Sequence, residues 1–240
     1  TSFGRAMSIT TRIAGRLPKP APVLELDVTN DDHLATLADR VREHLPHLDG
    51  VVHSIGFAPE SALGGKFLST EWPDVATAIQ VSAYSYKSLT MACKPLFPSS
   101  GASVVGMDFD AQVAWPKYDW MGVAKAALES DTRVLAWEAG RKWKVRVNVI
   151  SAGPLRSRAA RAIGADANKT VNFIDTMIEY SKVNAPLKDK DLEAEEIANT
   201  AAFLCSDLSS AITGVNLYVD NGLHAMGIAV DSMAFAPSQA

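Results

Sequence analysis

The chain has 240 residues with a formal net charge of −4, and hydrophobic residues make up 48% of it. This composition is that of an ordinary globular protein, which excludes intrinsic disorder, collagen and a coiled coil. No basic cluster is longer than the short stretch Arg141–Arg146, so no surface for nucleic acid is expected. At roughly 100–200 residues per domain, we expect a single domain over residues 1–240.

The two cysteines, Cys93 and Cys205, lie far apart and form no Cys-x2-Cys pair. This usage argues against a disulfide framework or a zinc knuckle and favours a reducing, cytoplasmic location. No apolar run approaches the roughly 20 residues of a membrane helix, so no membrane partner is expected. Residues 1–24 are basic and contain no acidic residue, as in an organelle transit peptide, but we favour a helix over Met7–Leu17 within the fold.

From residue 22 onward, short β-branched runs alternate with longer helical patterns. The alternation predicts an α/β fold with a doubly wound parallel sheet. The predicted strands, in chain order, are Val23–Val28, Gly50–Ile55, Ser103–Phe109, Val145–Ser151 and Val215–Val219. The predicted helices between them are Asp31–Leu45, Trp72–Cys93, Asp119–Trp143 and Ala194–Cys205. No internal repeat or linker marks a domain boundary.

Residues 156–190 depart from this alternation, because they insert a helical pattern over Val171–Tyr180 where a doubly wound sheet needs one crossover. An insertion after a strand exit predicts a lid over a substrate site. The alternative is a surface subdomain without a role in binding.

Candidate binding residues lie at the predicted strand ends, because ligands of an open parallel sheet bind beyond the carboxyl ends of its strands. These ends are Asp27-Val28, Ser54-Ile55-Gly56-Phe57, Met107-Asp108-Phe109-Asp110 and Ser151-Ala152-Gly153-Pro154-Leu155. Glycine and proline there let a flat ligand approach the backbone, and Asp27 could accept a hydrogen bond from a ring amine.

Tyr118 and Lys125 are seven residues apart, which is two helical turns, so their side chains lie on nearly the same helix face. An ammonium near a phenol favours the phenolate and can donate to sugar hydroxyls, while the phenol can polarise a carbonyl. The spacing alone also allows a buried tyrosine with a solvated lysine. His44 with His47, or Asp108 with Asp110, lacks a suitably spaced third ligand, so we expect no metal site.

These segments together resemble enoyl-[acyl-carrier-protein] reductases, relatives of the short-chain dehydrogenases/reductases in type II fatty-acid synthesis. The likeness is to the NADH-dependent actinobacterial, long-chain branch, and it implies a Rossmann-like domain. It is specific, because ordinary members of the superfamily have a Tyr-x3-Lys spacing whereas this chain has Tyr-x6-Lys. The matching strings are Val51–Phe57, Ser82–Tyr86, Gly106–Asp110, Tyr118–Lys125, Ala152–Arg156, Thr213–Gly214 and Asp220–Gly222.

The resemblance implies a role for each residue at a matching position. Tyr118 would bond the thioester carbonyl and stabilise the enolate, Lys125 would hold the nicotinamide ribose, and Phe109 would occupy the gate beside the nicotinamide. The other cofactor-binding positions would be Asp27, Val28, Ser54, Ile55, Gly56, Pro154 and Leu155. The acyl pocket would be lined by Phe57, Leu63, Trp115, Tyr118 and Ala159.

The resemblance also implies a strand, a glycine-rich phosphate turn, a helix and a second strand ahead of Thr1, which residues 1–240 do not contain. We therefore expect Val23–Val28 either to move directly against Gly50–Ile55 or to be displaced, and NADH to bind weakly.

Two functions of different class follow. One is NADH-dependent reduction of trans-2-enoyl thioesters carried on acyl carrier protein or coenzyme A. The other is a cofactor-free relative that keeps the acyl pocket and acts as a binding protein, an isomerase or a cyclase. The resemblance further implies a homo-oligomer, a tetramer, paired through the two long helices Trp72–Cys93 and Asp119–Trp143.

Overall fold

A computed structural model of the chain describes residues 4, 6–157, 160 and 173–227. Its sheet is parallel and has the strand order β1-β2-β3-β4. The strands are β1 (Gly50–His53), β2 (Ser103–Asp108), β3 (Arg146–Ala152) and β4 (Asn216–Val219). None of the described helices combines the length and the apolar character that crossing a bilayer requires.

Helices flank this sheet, which confirms the predicted α/β fold with a parallel sheet. They are α1 (Ala6–Ala14), α2 (Asp31–Ala35), α3 (Leu37–Arg42), α4 (Trp72–Ile79), α5 (Ser85–Cys93), α6 (Asp119–Trp143), α7 (Phe173–Asn184) and α8 (Ala194–Cys205). A π-helical turn, Gln80–Tyr84, joins α4 to α5. Short 3₁₀ turns lie at Glu60–Ala62, Phe67–Ser69, Lys94–Leu96, Asp207–Ser209 and Leu223–Ala225.

Four of the predicted strands are confirmed, with ends shifted by one or two residues. The prediction of a strand over Val23–Val28 is wrong, because this segment contains a single bridge residue and no strand. Its apolar side chains bury against helices instead: Leu26 and Val28 pack in a cluster with Leu37 and Leu89. No described strand pairs with the outer edge of β1, although Leu26 and Val28 share their cluster with Val51 of β1.

Two predicted helices differ from the structure for local reasons. The helix expected over Asp31–Leu45 is divided at Thr36, whose hydroxyl donates to the Asp32 carbonyl at 2.8 Å. Such a bond competes with the helical ladder and bends the helix. The helix expected over Met7–Leu17 ends at Ala14, because the following residue is Gly15.

A buried tyrosine of α5, Tyr86, links this helix to two strands of the sheet. The Tyr86 hydroxyl donates across two strands, with its oxygen 3.0 Å from the Val104 carbonyl and 2.8 Å from the Asn148 carbonyl. A Cβ on Gly106 would lie 2.9 Å from the side chain of Val149 and 3.3 Å from the Tyr86 ring. Glycine at this position therefore leaves room for the Tyr86 ring beside β2.

Helix α6 covers the same face of the sheet and carries the predicted Tyr-x6-Lys pair at its beginning. Its buried side chains Leu128, Ala136 and Ala139 pack with Val147 and Val149 of β3. This packing places the first turns of α6 beside the carboxyl ends of the strands. The sheet, α5 and α6 thus form the frame on which the site is built.

Candidate active site

The carboxyl ends of β1, β2 and β3 open into one cavity of about 870 Å³, closed at its sides by residues of α6, α7 and α8. Its lining is largely apolar, and its volume is that of a small-molecule or cofactor site. The predicted site residues that line it are Ser54, Ile55, Gly56, Phe57, Leu63, Phe109, Trp115, Tyr118, Lys125, Pro154 and Leu155. Residues with predicted cofactor and acyl roles therefore share one continuous space.

Tyr118 lies immediately before α6, in a turn held by hydrogen bonds. The Asp119 carboxylate accepts from the Gly65 N–H at 2.6 Å and from the Lys66 N–H at 2.9 Å. The residues on either side of Tyr118, Lys117 and Asp119, have φ values of 66° and 43°. Non-glycine residues adopt such values rarely, and the surrounding bonds keep the turn in this conformation. The position of Tyr118 is therefore fixed from both sides.

The ring of Tyr118 is buried and packs edge-on against Phe109, with 5.1 Å between the ring centroids. Phe109 lies 5.3 Å from the ring of Trp115. Burial, and then the charge of Asp108, raise the pKa of the Tyr118 phenol far above its usual value. Lys125 is not among the causes of this shift, so its predicted effect on the phenol stays a prediction. The phenol keeps its proton and can donate a hydrogen bond to a carbonyl in the cavity.

Lys125 lines the cavity two turns further along α6, and its Nζ donates to the Met107 carbonyl at 2.8 Å. The side chain is buried, so the alternative of a solvated lysine is wrong. Burial lowers the pKa of Lys125, and the nearby Asp108 carboxylate opposes that shift. An ammonium has three N–H donors, so Lys125 can hold the Met107 carbonyl and still donate to the hydroxyl groups of a ligand.

The sequence of the chain matches a known protein family. The sequence profile of the family described as "Enoyl-(Acyl carrier protein) reductase" matches residues 1–224 of this chain. The chain belongs to this enoyl-[acyl-carrier-protein] reductase family. The family is the one that the sequence resembles, and in this chain Tyr118, Lys125 and Phe109 line the same cavity.

Named relatives agree with this assignment. An enoyl-[acyl-carrier-protein] reductase [NADH] of Mycolicibacterium smegmatis is 45% identical over 228 residues, which are 92% of this chain and 84% of the relative. A chloroplastic enoyl-[acyl-carrier-protein] reductase [NADH] of Oryza sativa subsp. japonica is 50% identical over 197 residues, which are 82% of this chain and 50% of the relative. An enoyl-[acyl-carrier-protein] reductase [NADH] of Bacillus subtilis is 35% identical over 213 residues, which are 88% of this chain and 79% of the relative.

Asp108 is a residue of this reductase-family cavity to which sequence reasoning assigns no role in the reaction. It ends β2, is buried and lines the cavity, and the Ser151 hydroxyl donates to its Oδ2 at 3.3 Å. Its Oδ1 is buried and has no hydrogen-bond partner among the described residues. Burial raises the pKa of Asp108 to about 7, although the charge of Lys125 opposes the shift. In the sequence, the only sign of this role is that an aspartate ends an apolar strand.

Three predicted positions are not placed at the cavity. Asp27 and Val28 do not line it. The Asp27 carboxylate accepts from the Thr29 N–H at 2.9 Å and from the Thr29 hydroxyl at 2.7 Å, and Val28 packs with Leu37. Their predicted contact with adenine therefore stays a prediction. Ala159 lies outside the described residues, as does much of the predicted lid.

Proposed function

We propose that this chain reduces a trans-2-enoyl thioester to the acyl thioester, with NADH as the hydride donor, in fatty-acid biosynthesis. The observation that carries the proposal is the convergence of Tyr118, Lys125 and Phe109 on one largely apolar cavity in a reductase-family chain. Relatives named for this activity and for NADH support the choice of reaction and cofactor. The same observations favour reduction over a cofactor-free role as a binding protein, an isomerase or a cyclase.

The described cavity fits the nicotinamide half of a dinucleotide. Lys125 offers a buried ammonium for ribose hydroxyls. A Cβ built on Gly56 would meet Ser82 Oγ at 3.9 Å and nothing nearer, so a flat ring can approach this backbone closely. Pro154 and Leu155 supply an apolar wall. When bound, NADH supplies the hydride that adds to C3 of the enoyl chain.

The side chains of this cavity would act on the charge that hydride addition creates. That charge develops on the thioester oxygen, and C2 then takes up a proton from water. Tyr118, which keeps its own proton, would donate a hydrogen bond to this oxygen and stabilise the enolate. Lys125 would fix the ribose, and Phe109 would exclude water beside the reacting atoms. Phe57, Leu63 and Trp115 would contact the acyl chain.

We further infer that the substrate arrives on acyl carrier protein or coenzyme A, and that the chain assembles as a homo-oligomer, a tetramer by resemblance. The outer face of α6 supports an assembly, since Val134 and Trp137 are 61% and 59% exposed on it. Exposed apolar side chains on a long helix are suited to pairing with a second copy. The helices expected to pair are α6 and the run from α4 to α5.

The proposal is tested by the Tyr118→Phe variant. We expect turnover of a trans-2-enoyl thioester to fall by about 100-fold, because the enolate loses its hydrogen-bond donor. NADH binding should change little, and Tyr84→Phe is the control, since Tyr84 is exposed and outside the cavity. NADH consumption is followed by absorbance and NADH affinity by calorimetry.

Lys125→Ala separates the two roles, since it should weaken NADH binding. Loss of NADH affinity in Tyr118→Phe with an unchanged rate when NADH is bound would contradict the assigned roles. Absence of enoyl reduction by the unaltered protein with NADH bound would overturn the proposed function itself.

A further inference from the structure

The segment after β1 forms one wall of the cavity although it belongs to no strand. The strand ends at His53, and Ser54, Ile55, Gly56 and Phe57 then line the cavity in succession. Backbone groups beyond the end of a strand have no ladder partner, and Ser54, Gly56 and Phe57 are exposed, so this wall is not held by burial. The shape of this wall therefore depends on whatever holds the backbone beyond His53.

The hydroxyl of Ser82, which does not line the cavity, binds this backbone at Phe57. Its Oγ accepts the N–H of Phe57 at 2.9 Å and donates to the carbonyl of the same residue at 2.9 Å. A hydroxyl group can serve both backbone groups because it is a donor and an acceptor at once. Ser82 itself is completely buried. The pair of bonds fixes Phe57 at the point where the cavity wall turns away from the sheet.

Other hydroxyl side chains of the same helical run behave differently. Thr77, Ser85, Ser88 and Thr90 each donate to the carbonyl four residues earlier in the helix. The hydroxyl of Ser82 donates across to Phe57 instead, and Ser82 lies in the middle of the π-helical turn Gln80–Tyr84. Single π-turns within α-helices are frequent at functional sites.

We propose that Ser82 is a positioning residue of the site, which sets the wall formed by residues 54–57 by holding the backbone of Phe57. The inference rests on the proposed function, in which Ser54, Ile55 and Gly56 face the cofactor and Phe57 faces the acyl chain. Ser82 does not line the cavity. It acts on the ligands through the backbone that it fixes.

Ser82→Ala removes both bonds and leaves the Phe57 N–H and carbonyl without this partner. We expect the Phe57 amide of the unliganded protein to exchange with deuterium about tenfold faster or more, since two hydrogen bonds are lost. We also expect KM for an enoyl thioester to rise about five- to tenfold with kcat changed by less than about twofold, because the wall binds substrate and transition state alike.

Ser85→Ala is the matched control. Ser85 is a buried serine on the same helical run, with partners Val81 and His53, and it has no bond to residues 54–57. Both variants lose buried hydrogen bonds, so both should lower the melting temperature. Ser85→Ala should leave Phe57 exchange and KM within about twofold of the unaltered protein, since its lost bonds do not reach the wall.

Amide exchange is read by NMR without substrate or cofactor, so it tests the positioning role apart from the reaction. Faster Phe57 exchange in Ser82→Ala, with Ser85→Ala unchanged, supports the role even if the unaltered protein shows no enoyl reduction. Unchanged Phe57 exchange in Ser82→Ala overturns it, as does an equal rise of KM in both variants. A Phe57 amide that is unprotected in the unaltered protein also overturns it and requires no variant.

Discussion

Asp108 and Lys125 are two buried ionisable groups beside one cavity, and each changes the pKa of the other. For both residues burial is the larger cause, so it raises the pKa of the acid to about 7 and lowers that of the base. The charge of one partner opposes the shift of the other without cancelling it. Because the pKa of Asp108 differs between the folded and the unfolded protein, the free energy of unfolding depends on whether this carboxyl is charged.

The Asp108→Asn variant tests this point. The pKa of Asp108 is about 7 in the folded protein, against an ordinary value of 3.8. The free energy of unfolding therefore falls as the pH rises from the unfolded pKa through the folded pKa. Asparagine carries no such penalty, so the stability of the variant relative to the unaltered protein should increase by about 1–3 kcal/mol between pH 5 and pH 8.

Denaturant unfolding at pH 5 and at pH 8 measures the difference. Asp39→Asn is the control for removing a carboxylate, because the Asp39 side chain is exposed and its replacement should change the free energy of unfolding little. If Asp108→Asn has the same effect on the free energy of unfolding at both pH values, the raised pKa of Asp108 is contradicted.

At the scale of secondary-structure elements, helix α7 lies within the insertion 156–190 that we predict to be a lid. Its residues Phe173, Ile174 and Met177 line the cavity. Arg156 and Asp175 form an ion pair of 3.2 Å, but both side chains are largely exposed, so this pair holds the helix weakly. The contacts to the cavity favour a lid over a subdomain without a role in binding, and the lid remains a proposal.

Hydrogen exchange over residues 173–184 tests the lid. We expect exchange to slow by about tenfold when an acyl thioester binds, because the chain would pack against the apolar face of α7 and suppress its local opening. Helix α5, none of whose residues lines the cavity, provides an internal reference in the same experiment. Rapid exchange of 173–184 that is unchanged by the ligand would favour the surface subdomain.

The strands and long helices were predictable because their signals are local. The apolar runs of β2 and β3 and the pattern of Asp119–Trp143 identify buried elements without knowledge of their partners. The apolar pattern of Val23–Val28 is equally local, but a strand also needs a neighbour, and Leu26 and Val28 bury against helices here. Pairing depends on distant residues, so that prediction failed.

Some features of the site could likewise be predicted from local sequence, and others could not. Tyr118 and Lys125 could be selected by spacing and resemblance, and the structure places both at the cavity. The pKa of Asp108 and the contact from Ser82 to Phe57 arise from packing between elements far apart in the sequence. A serine in a helical pattern gives no sign of a bond across to a loop. These features could be found only from the fold.

At the scale of the whole molecule, the outer edge of β1 bears on cofactor binding. No described strand pairs with this edge, and Val52 on β1 is 49% exposed while also lining the cavity. Residues that would bind the nicotinamide half surround the cavity. Among the described residues that line it, Lys125 is the only cation that could bind a pyrophosphate, and its Nζ donates to the Met107 carbonyl. The described cavity therefore fits one half of NADH better than the other.

We therefore expect a polypeptide of residues 1–240 to bind NADH weakly. A second polypeptide, carrying a strand, a glycine-rich turn, a helix and a strand ahead of Thr1, should bind NADH more tightly by at least about 100-fold. Charged hydrogen bonds from backbone N–H groups to the pyrophosphate would account for this gain. Calorimetric titration of both polypeptides measures it, with the Lys125→Ala variant of the longer one as a control for binding at this cavity. Tight NADH binding by residues 1–240 would contradict the expectation and would mean that another segment of the chain holds the phosphates.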